Sequence, residues 1–100
     1  MVKTTALYGH PTDPAAFERY YAEIHMPLVA KMTGYRRAEA AKVVGTPDGS
    51  PPTYYRIFEF WFDSLEDLQA SFGSPEGQAV VADVANFATG GITILISEIT

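Results

Sequence analysis

The chain has 100 residues, of which 47% are hydrophobic and 19% charged, and it carries a formal net charge of −5 at pH 7. This length suits one domain with a modest core, while the acidic balance and the lack of a basic patch argue against nucleic acid as a partner. The absence of cysteine excludes disulfides and thiolate metal sites, and the lack of a long apolar run or a signal peptide predicts a cytoplasmic protein that does not enter a membrane.

The first two predicted elements are a strand and an amphipathic helix. Val2 to Tyr8 alternates as a strand, with Thr4, Ala6 and Tyr8 on the same face as Val2, and Gly9-His10-Pro11 ends it. Asp13 is a suitable N-cap for the helix that follows, and Gly34 is its predicted stop. The residues at helical spacing on the apolar face of this helix are Phe17, Tyr21, Ile24, Leu28 and Met32.

An interruption of this helix is the sharpest functional indication in the sequence. His25 follows Tyr21 by four residues, which places it at the margin of the apolar face. Pro27 cannot donate an internal hydrogen bond and clashes with the carbonyl of Glu23, so the helix is predicted to kink or loosen beside His25.

Three later segments are predicted to be strands, namely Tyr35 to Val44, Tyr54 to Phe62 and Ile92 to Ile99. Both faces of the middle strand are apolar. One face carries Tyr54, Phe58, Phe60 and Phe62, and the other carries Tyr55, Ile57 and Trp61. Because a short chain cannot cover both faces, we expect a homodimer that packs sheet against sheet through this strand.

Two further helices complete the pattern. Ser64 is the predicted cap of a helix from Leu65 to Phe72, and Ser74-Pro75 begins another that ends at Gly90-Gly91. The resulting order of elements, βαββαβ, is typical of a ferredoxin-like α+β fold with a four-stranded antiparallel sheet, formed by a single domain over residues 1–100.

Several residues around the central helix together match a family signature. They are His10, Asp13-Pro14, Phe17, Tyr20-Tyr21, His25-Met26-Pro27-Leu28, Gly34 and Arg36-Arg37. With these residues the chain resembles the EthD family, named for ethyl tert-butyl ether degradation, over nearly its whole length. The resemblance implies a dimeric α+β barrel in which Tyr21 and His25 lie by a cleft between helix and sheet. That superfamily includes cofactor-free monooxygenases, lactone isomerases, polyketide cyclases and haem-degrading or dye-decolorizing relatives. The fold alone therefore does not identify the reaction that a member catalyses.

Three residues are candidate catalytic groups. His25 is either a general base or a structural histidine bonded to a carbonyl that Pro27 leaves free. Tyr21 either has a functional role, in which it orients His25 or donates to a developing oxyanion, or is a core residue with its hydroxyl at the rim. His10 is a second catalytic group, one side of a pocket mouth, or simply a solvated loop residue.

The sequence gives no positive sign of a metal or cofactor. A metal site would need His10 and His25 to converge with a carboxylate, and no motif fixes that spacing. Neither histidine lies in a haem attachment motif, and no Gly-x-Gly-x-x-Gly follows a strand to hold flavin or nicotinamide. Glu59 is expected to pair with Arg36 or Arg37 across the hairpin, the alternative being a buried carboxylate with a raised pKa. We therefore expect chemistry without cofactor or metal.

Two functions agree with these observations. The first is a cofactor-free enzyme of the cyclase, isomerase or monooxygenase type, in which His25 moves a proton on an apolar, oxygenated, aromatic or polyketide-like substrate. The second is a non-catalytic module that carries a small hydrophobic ligand or supports an oxygenase in a degradation pathway. No serine or cysteine nucleophile motif is present, which argues against hydrolysis.

Overall fold

The four strands form one sheet. The computed structural model describes all 100 residues. Its strands are β1 (Val2–Tyr8), β2 (Arg37–Lys42), β3 (Arg56–Phe62) and β4 (Ile92–Glu98). Every neighbouring pair is antiparallel, and the strand order is β2-β3-β1-β4. The predicted ferredoxin-like α+β fold is confirmed.

The helices lie on one face of this sheet. They are α1 (Pro14–Tyr20), a π-helical turn (Tyr21–His25), α2 (Met26–Val29), α3 (Leu65–Gly73), α4 (Pro75–Asp83) and a 3-10 turn (Val84–Asn86). Three helices begin at the predicted caps, since Asp13, Ser64 and Ser74 each accept a hydrogen bond from the backbone amide three residues later. The last helix ends well before the predicted Gly90, because it tightens into the 3-10 turn before the chain returns to β4.

The core fills the space between the helices and the inward face of the sheet. Phe58, Phe60 and Phe62 alternate along β3, and all three are buried against the helices. Phe72 of α3 packs on Phe60 with ring centroids 5.8 Å apart. Burial of each such ring stabilises the fold by roughly 1.5–3 kcal/mol.

One aromatic residue of the predicted third strand lies on the other side from the one expected. Tyr55 precedes β3, and its ring packs edge-on against Phe17 with centroids 5.2 Å apart. It therefore joins the core beneath α1, whereas the predicted alternation had grouped it with Ile57 and Trp61, which lie on the opposite face of the sheet. The strand is shorter because Tyr55 leaves the regular ladder and donates its amide to the carbonyl of Tyr8.

The outward face of the sheet carries a polar network that differs from the predicted one. Glu59 pairs with Lys3 at 2.8 Å and accepts from the Thr5 hydroxyl at 2.9 Å, because β1 lies beside β3 in register. The hydrogen bond from Lys3 lowers the pKa of Glu59 despite partial burial. The expected partners are engaged elsewhere, since Arg36 binds Asp63 and Arg37 binds Glu39.

None of the helices combines the length and hydrophobicity that a membrane span requires.

Candidate functional site

His25 is buried because the helix widens by one residue just before it. The amide of Met26 donates to the carbonyl of Tyr21, five residues earlier, which defines a π-helical turn. The helix thus loosens beside His25, as the position of Pro27 predicted. The extra residue turns His25 into the core at 3% exposure and leaves Ile24, predicted on the apolar face, 47% exposed.

A carboxylate from the far end of the chain holds the imidazole. His25 Nδ1 lies 3.0 Å from Oδ2 of Asp83, the last residue of α4. The other oxygen of Asp83 accepts from the Tyr20 hydroxyl at 2.6 Å and from the Asn86 amide at 3.1 Å. The ring of Phe87 lies 4.5 Å from the imidazole, centroid to centroid, and limits its movement on another side. The position and orientation of the imidazole are therefore fixed by the fold.

Burial and hydrogen bonding set the charges of this pair. Burial lowers the pKa of His25, and the neighbouring Asp83 opposes this shift only in part. Burial acts to raise the pKa of Asp83, but the hydrogen bonds from Tyr20, Asn86 and His25 outweigh it and leave that pKa below its usual value. At neutral pH the carboxylate is ionised and the imidazole is neutral. Since a carboxylate only accepts, Nδ1 carries the proton and Nε2 is left as a basic nitrogen.

A cavity of about 140 Å³ lies between the helices and the sheet, and His25 forms part of its wall. Eleven of its thirteen lining residues are hydrophobic, and the two others are His25 and Thr4. Val81 of α4 and Ile94 of β4 line the cavity and are about half exposed, so the opening lies between these two elements. Nε2 of His25 makes no hydrogen bond within the chain and is not sealed from solvent.

The structure does not bring the two other candidate residues to this cavity. The hydroxyl of Tyr21 is buried without a hydrogen-bond partner, and burial raises the pKa of this phenol to about 12. The guanidinium of Arg56 covers its ring at 4.7 Å and is itself paired with Glu18 at 2.7 Å. His10 lies in an exposed loop, where its Nε2 is 2.7 Å from the carbonyl oxygen of Pro52. Neither Tyr21 nor His10 lines the cavity.

Three residues at the site were not predicted as functional candidates from the sequence. Thr4 and Tyr8 line the cavity from β1, and their inward direction follows from the alternation of that strand. Asp83 falls between Val80 and Val84 on the apolar face of the last helix, and a carboxylate on such a face is the signal that could have identified it.

No cluster of three or more histidine, cysteine, aspartate or glutamate side chains is arranged to hold a metal ion.

Comparison with known proteins identifies the family. A family model described as the EthD domain matches residues 9–91. A protein of Rhodococcus erythropolis, described as an uncharacterized 11.0 kDa protein in the thcB-thcC intergenic region, is 43% identical over 98 residues, which are 98% of this chain and 94% of that protein. The crystal structure of an EthD family protein from Bacillus halodurans is 36% identical and superposes with a TM-score of 0.91 over 100% of this chain and 99% of the other.

A more distant similarity concerns the fold alone. The crystal structure of a dimeric protein of unknown function with a ferredoxin-like fold, from Bacteroides fragilis, is 20% identical and has a TM-score of 0.69 over 98% of this chain and 95% of the other. The family model covers residues 9–91, and the two closer relatives cover 98% and 100% of the chain. This protein therefore belongs to the EthD family.

Proposed function

We propose that this protein binds a small, apolar, oxygenated molecule in the cavity beside His25 and that His25 transfers a proton to or from it without a cofactor. The observation that carries the proposal is a neutral imidazole whose Nδ1 is held by Asp83 and whose Nε2 is unbonded at the wall of a nearly apolar cavity. A small-molecule-binding role also fits membership of the EthD family.

The size and lining of the cavity support an apolar occupant. A cavity of roughly 150 Å³ with an aliphatic and aromatic lining is large enough to take up benzene. The present cavity is about 140 Å³, with walls formed by residues such as Val29, Phe58 and Phe60. A single ring therefore fills it, and a larger molecule must extend through the opening between Val81 and Ile94. Few polar groups are available to replace lost hydration, which disfavours strongly charged ligands.

The hydrogen-bond arrangement supports proton transfer. When Nε2 takes a proton from a bound molecule, the imidazole becomes a cation in a buried place, which is unfavourable by itself. The carboxylate of Asp83, 3.0 Å from Nδ1, stabilises that cation and keeps the ring oriented. General acid–base catalysis of this kind contributes about 10²–10⁴-fold to a rate. Cyclisation, isomerisation and oxygenation all include such a step.

The competing function is a non-catalytic module that carries the hydrophobic ligand or supports an oxygenase. The same lining supports it, since eleven hydrophobic residues bind an apolar molecule whether or not chemistry follows. In that case the bond between His25 and Asp83 serves only to satisfy two buried polar groups.

Replacing His25 with asparagine separates the two functions. If His25 transfers a proton, His25→Asn keeps the fold but loses about 10²–10⁴-fold in turnover. If its role is structural, the variant loses about 1–3 kcal/mol of stability and keeps its ligand affinity. Urea unfolding gives the stability, and NMR titration with phenol as a probe gives the affinity of parent and variant.

The same titration tests the site itself. Phenol bound in the cavity displaces water from Nε2, so the ¹⁵N signal of that nitrogen in His25 should shift with increasing phenol while the signals of His10 stay constant. His10→Asn is the matched control, because His10 lies in an exposed loop away from the cavity. If phenol saturates the protein without shifting the His25 signals, the cavity is not the binding site and the proposal fails.

We further propose that the protein is a cytoplasmic homodimer that packs through the outward face of its sheet. Of the predicted interface strand, Ile57 and Trp61 point outward, whereas the phenylalanines of β3 are already covered by the helices. Leu95 extends the apolar part of this face onto β4 and is 50% exposed. A second copy of the chain would cover these residues.

A further inference from the structure

Tyr8 brings a further polar group, its hydroxyl, to the cavity. Its side chain lines the cavity from the last position of β1, and the residue is only 2% exposed. The hydroxyl makes no hydrogen bond within the chain, yet it is not among the polar atoms sealed from solvent, which are the hydroxyls of Tyr21 and Tyr55. A tyrosine buried to this degree usually has a partner for its hydroxyl. The free phenol of Tyr8 therefore points to a ligand atom as its missing partner.

The surroundings of Tyr8 fix both its position and its protonation. Its ring packs edge-on against Phe17 at 5.6 Å and lies 5.7 Å from Phe87, which also contacts the imidazole of His25. Burial raises the pKa of the phenol, and the nearby Tyr21 adds to this shift. At neutral pH Tyr8 is a hydrogen-bond donor, held by the same aromatic cluster that holds the base.

Donor and base together select a chemical class. A ligand that satisfies both must offer an acceptor oxygen to Tyr8 and an acidic hydrogen to Nε2 of His25. The lining gives no cationic group for a carboxylate or phosphate to bind, because the imidazole of His25 is neutral and the remaining walls are apolar apart from the hydroxyls of Thr4 and Tyr8. A neutral carbonyl compound with a hydrogen on the adjacent carbon meets every condition.

We propose that the cavity enolises a neutral, one-ring ketone, with His25 as the base and Tyr8 as the donor to the carbonyl oxygen. Nε2 of His25 takes the proton from the carbon next to the carbonyl, and the electrons of that C–H bond form the carbon–carbon double bond of an enolate. The carbonyl π electrons move to the oxygen, which accepts the hydrogen bond from Tyr8. Return of a proton from the imidazolium to the same carbon or a neighbouring one completes the step, and no oxidant or reductant is needed. The proposal rests on the proposed function and specifies its substrate class.

Hydrogen exchange with cyclohexanone in D₂O tests this step directly. Each round of enolisation replaces a hydrogen next to the carbonyl with deuterium, which is followed by ¹H NMR. The parent protein should accelerate exchange in proportion to its concentration, and His25→Asn should lose about 10²–10⁴-fold of that rate. Tyr8→Phe should lose about 10²–10³-fold, the usual effect of removing one oxyanion donor.

Tyr55→Phe is the matched control. Tyr55 belongs to the same core and also has a buried hydroxyl without a partner, but it does not line the cavity. Both changes remove only a hydroxyl group with no bond inside the chain, so neither should impair folding. Tyr55→Phe should exchange cyclohexanone at the parent rate.

The outcomes separate this proposal from the more general one. If cyclohexanone shifts the His25 signals but does not exchange, enolisation is wrong and the binding site stands. A hydrogen bond from Tyr8 to the carbonyl oxygen should also make the parent bind cyclohexanone more tightly than cyclohexane. If Tyr8→Phe exchanges cyclohexanone at the parent rate, or keeps the same ratio of the two affinities, the role of Tyr8 is wrong and that of His25 stands. If neither cyclohexanone nor phenol perturbs His25, both proposals fail together.

Discussion

His25 and Asp83 form a pair in which each residue controls the charge of the other. Alone, the buried imidazole would bind a proton weakly, and the carboxylate would be unfavourable as an anion. The hydrogen bonds that Asp83 receives from Tyr20 and Asn86 keep it ionised, and its charge in turn keeps His25 from losing basicity altogether. Buried bases in functional sites often depend on such a partner. Tyr20 and Asn86 thus affect the pKa of His25 through Asp83, although neither residue lines the cavity.

Asp83→Asn tests whether this pairing matters for proton transfer. An amide is neutral and can present either a donor or an acceptor, so it neither stabilises the imidazolium nor fixes the proton on Nδ1. We expect the pKa of His25, measured by ¹⁵N NMR, to fall further, because the charge that opposes the effect of burial is lost. Turnover, measured as cyclohexanone exchange, should fall by about 10²–10⁴-fold, within the range of general acid–base catalysis.

The control for this change is Asp67→Asn, at an exposed carboxylate in the first turn of α3. It makes the same change in net charge without touching the imidazole, so it should leave the pKa of His25 and the exchange rate unaltered. Equal rates of cyclohexanone exchange in the Asp83→Asn variant and the parent would show that Asp83 has only a structural role.

Among the elements, the interrupted helix was the least predictable in detail. Pro27 correctly indicated a break, because the missing amide hydrogen is a local property of the sequence. A period of 3.6 residues, however, places Ile24 in the core and His25 at its margin, and the extra residue of the π turn reverses the two. Whether a helix inserts that residue depends on the contacts that the reoriented side chain makes. Here the imidazole of His25 forms a hydrogen bond with Asp83, which is 58 residues away in the sequence.

The contact between α3 and α4 depends on Gly77. A Cβ atom at this position would lie 2.2 Å from the carbonyl oxygen of Ser71 and 2.6 Å from the Cα of Phe72, so the backbones of the two helices would have to separate. We expect Gly77→Ala to destabilise the protein by about 1–3 kcal/mol in urea unfolding, as overpacking does. It should also weaken binding of phenol, because α4 carries Val80 and Val81 of the cavity wall.

Gly73→Ala is the control within the same helical hairpin. Gly73 ends α3, is exposed, and has no atom near its missing Cβ. Alanine there should be neutral or stabilising by up to about 1 kcal/mol, since it restricts the unfolded chain. A Gly77→Ala variant as stable as Gly73→Ala would mean that the two helices are not held in such close contact.

The order of strands and helices was predicted correctly, because local sequence patterns decide it. The caps at Asp13, Ser64 and Ser74 and the bounds of β1 follow from neighbouring residues alone. The pairing of Glu59 was predicted wrongly, because an adjacent hairpin strand was assumed to supply its partner, whereas the sheet places Lys3 of β1 there. The cavity likewise combines side chains of β1, β3 and β4 with side chains of α2, α3 and α4, and no local pattern reveals such a combination.

The oligomeric state depends on which apolar residues the sheet leaves exposed. Trp61 is partly covered within the chain, since Arg37 and Lys3 lie over its ring at 4.6 and 5.6 Å. The less protected apolar surface is on β4, where Ile94, Leu95 and Ile96 are each at least half exposed. An edge strand with exposed apolar residues on both faces is prone to associate with another chain.

Leu95→Asp is therefore a sharper test of the homodimer than a change at Trp61. Leu95 is half exposed within one chain, so aspartate should leave the folded monomer nearly as stable, while in a dimer it would bring an unpaired carboxylate into a dry interface. Light scattering at micromolar concentration should give twice the monomer mass for the parent and the monomer mass for Leu95→Asp. Val44→Asp, at a loop residue that is 97% exposed, makes the same change in charge and should stay dimeric. A monomeric parent would refute assembly through the sheet, and a dimeric Leu95→Asp variant would move the interface away from β4.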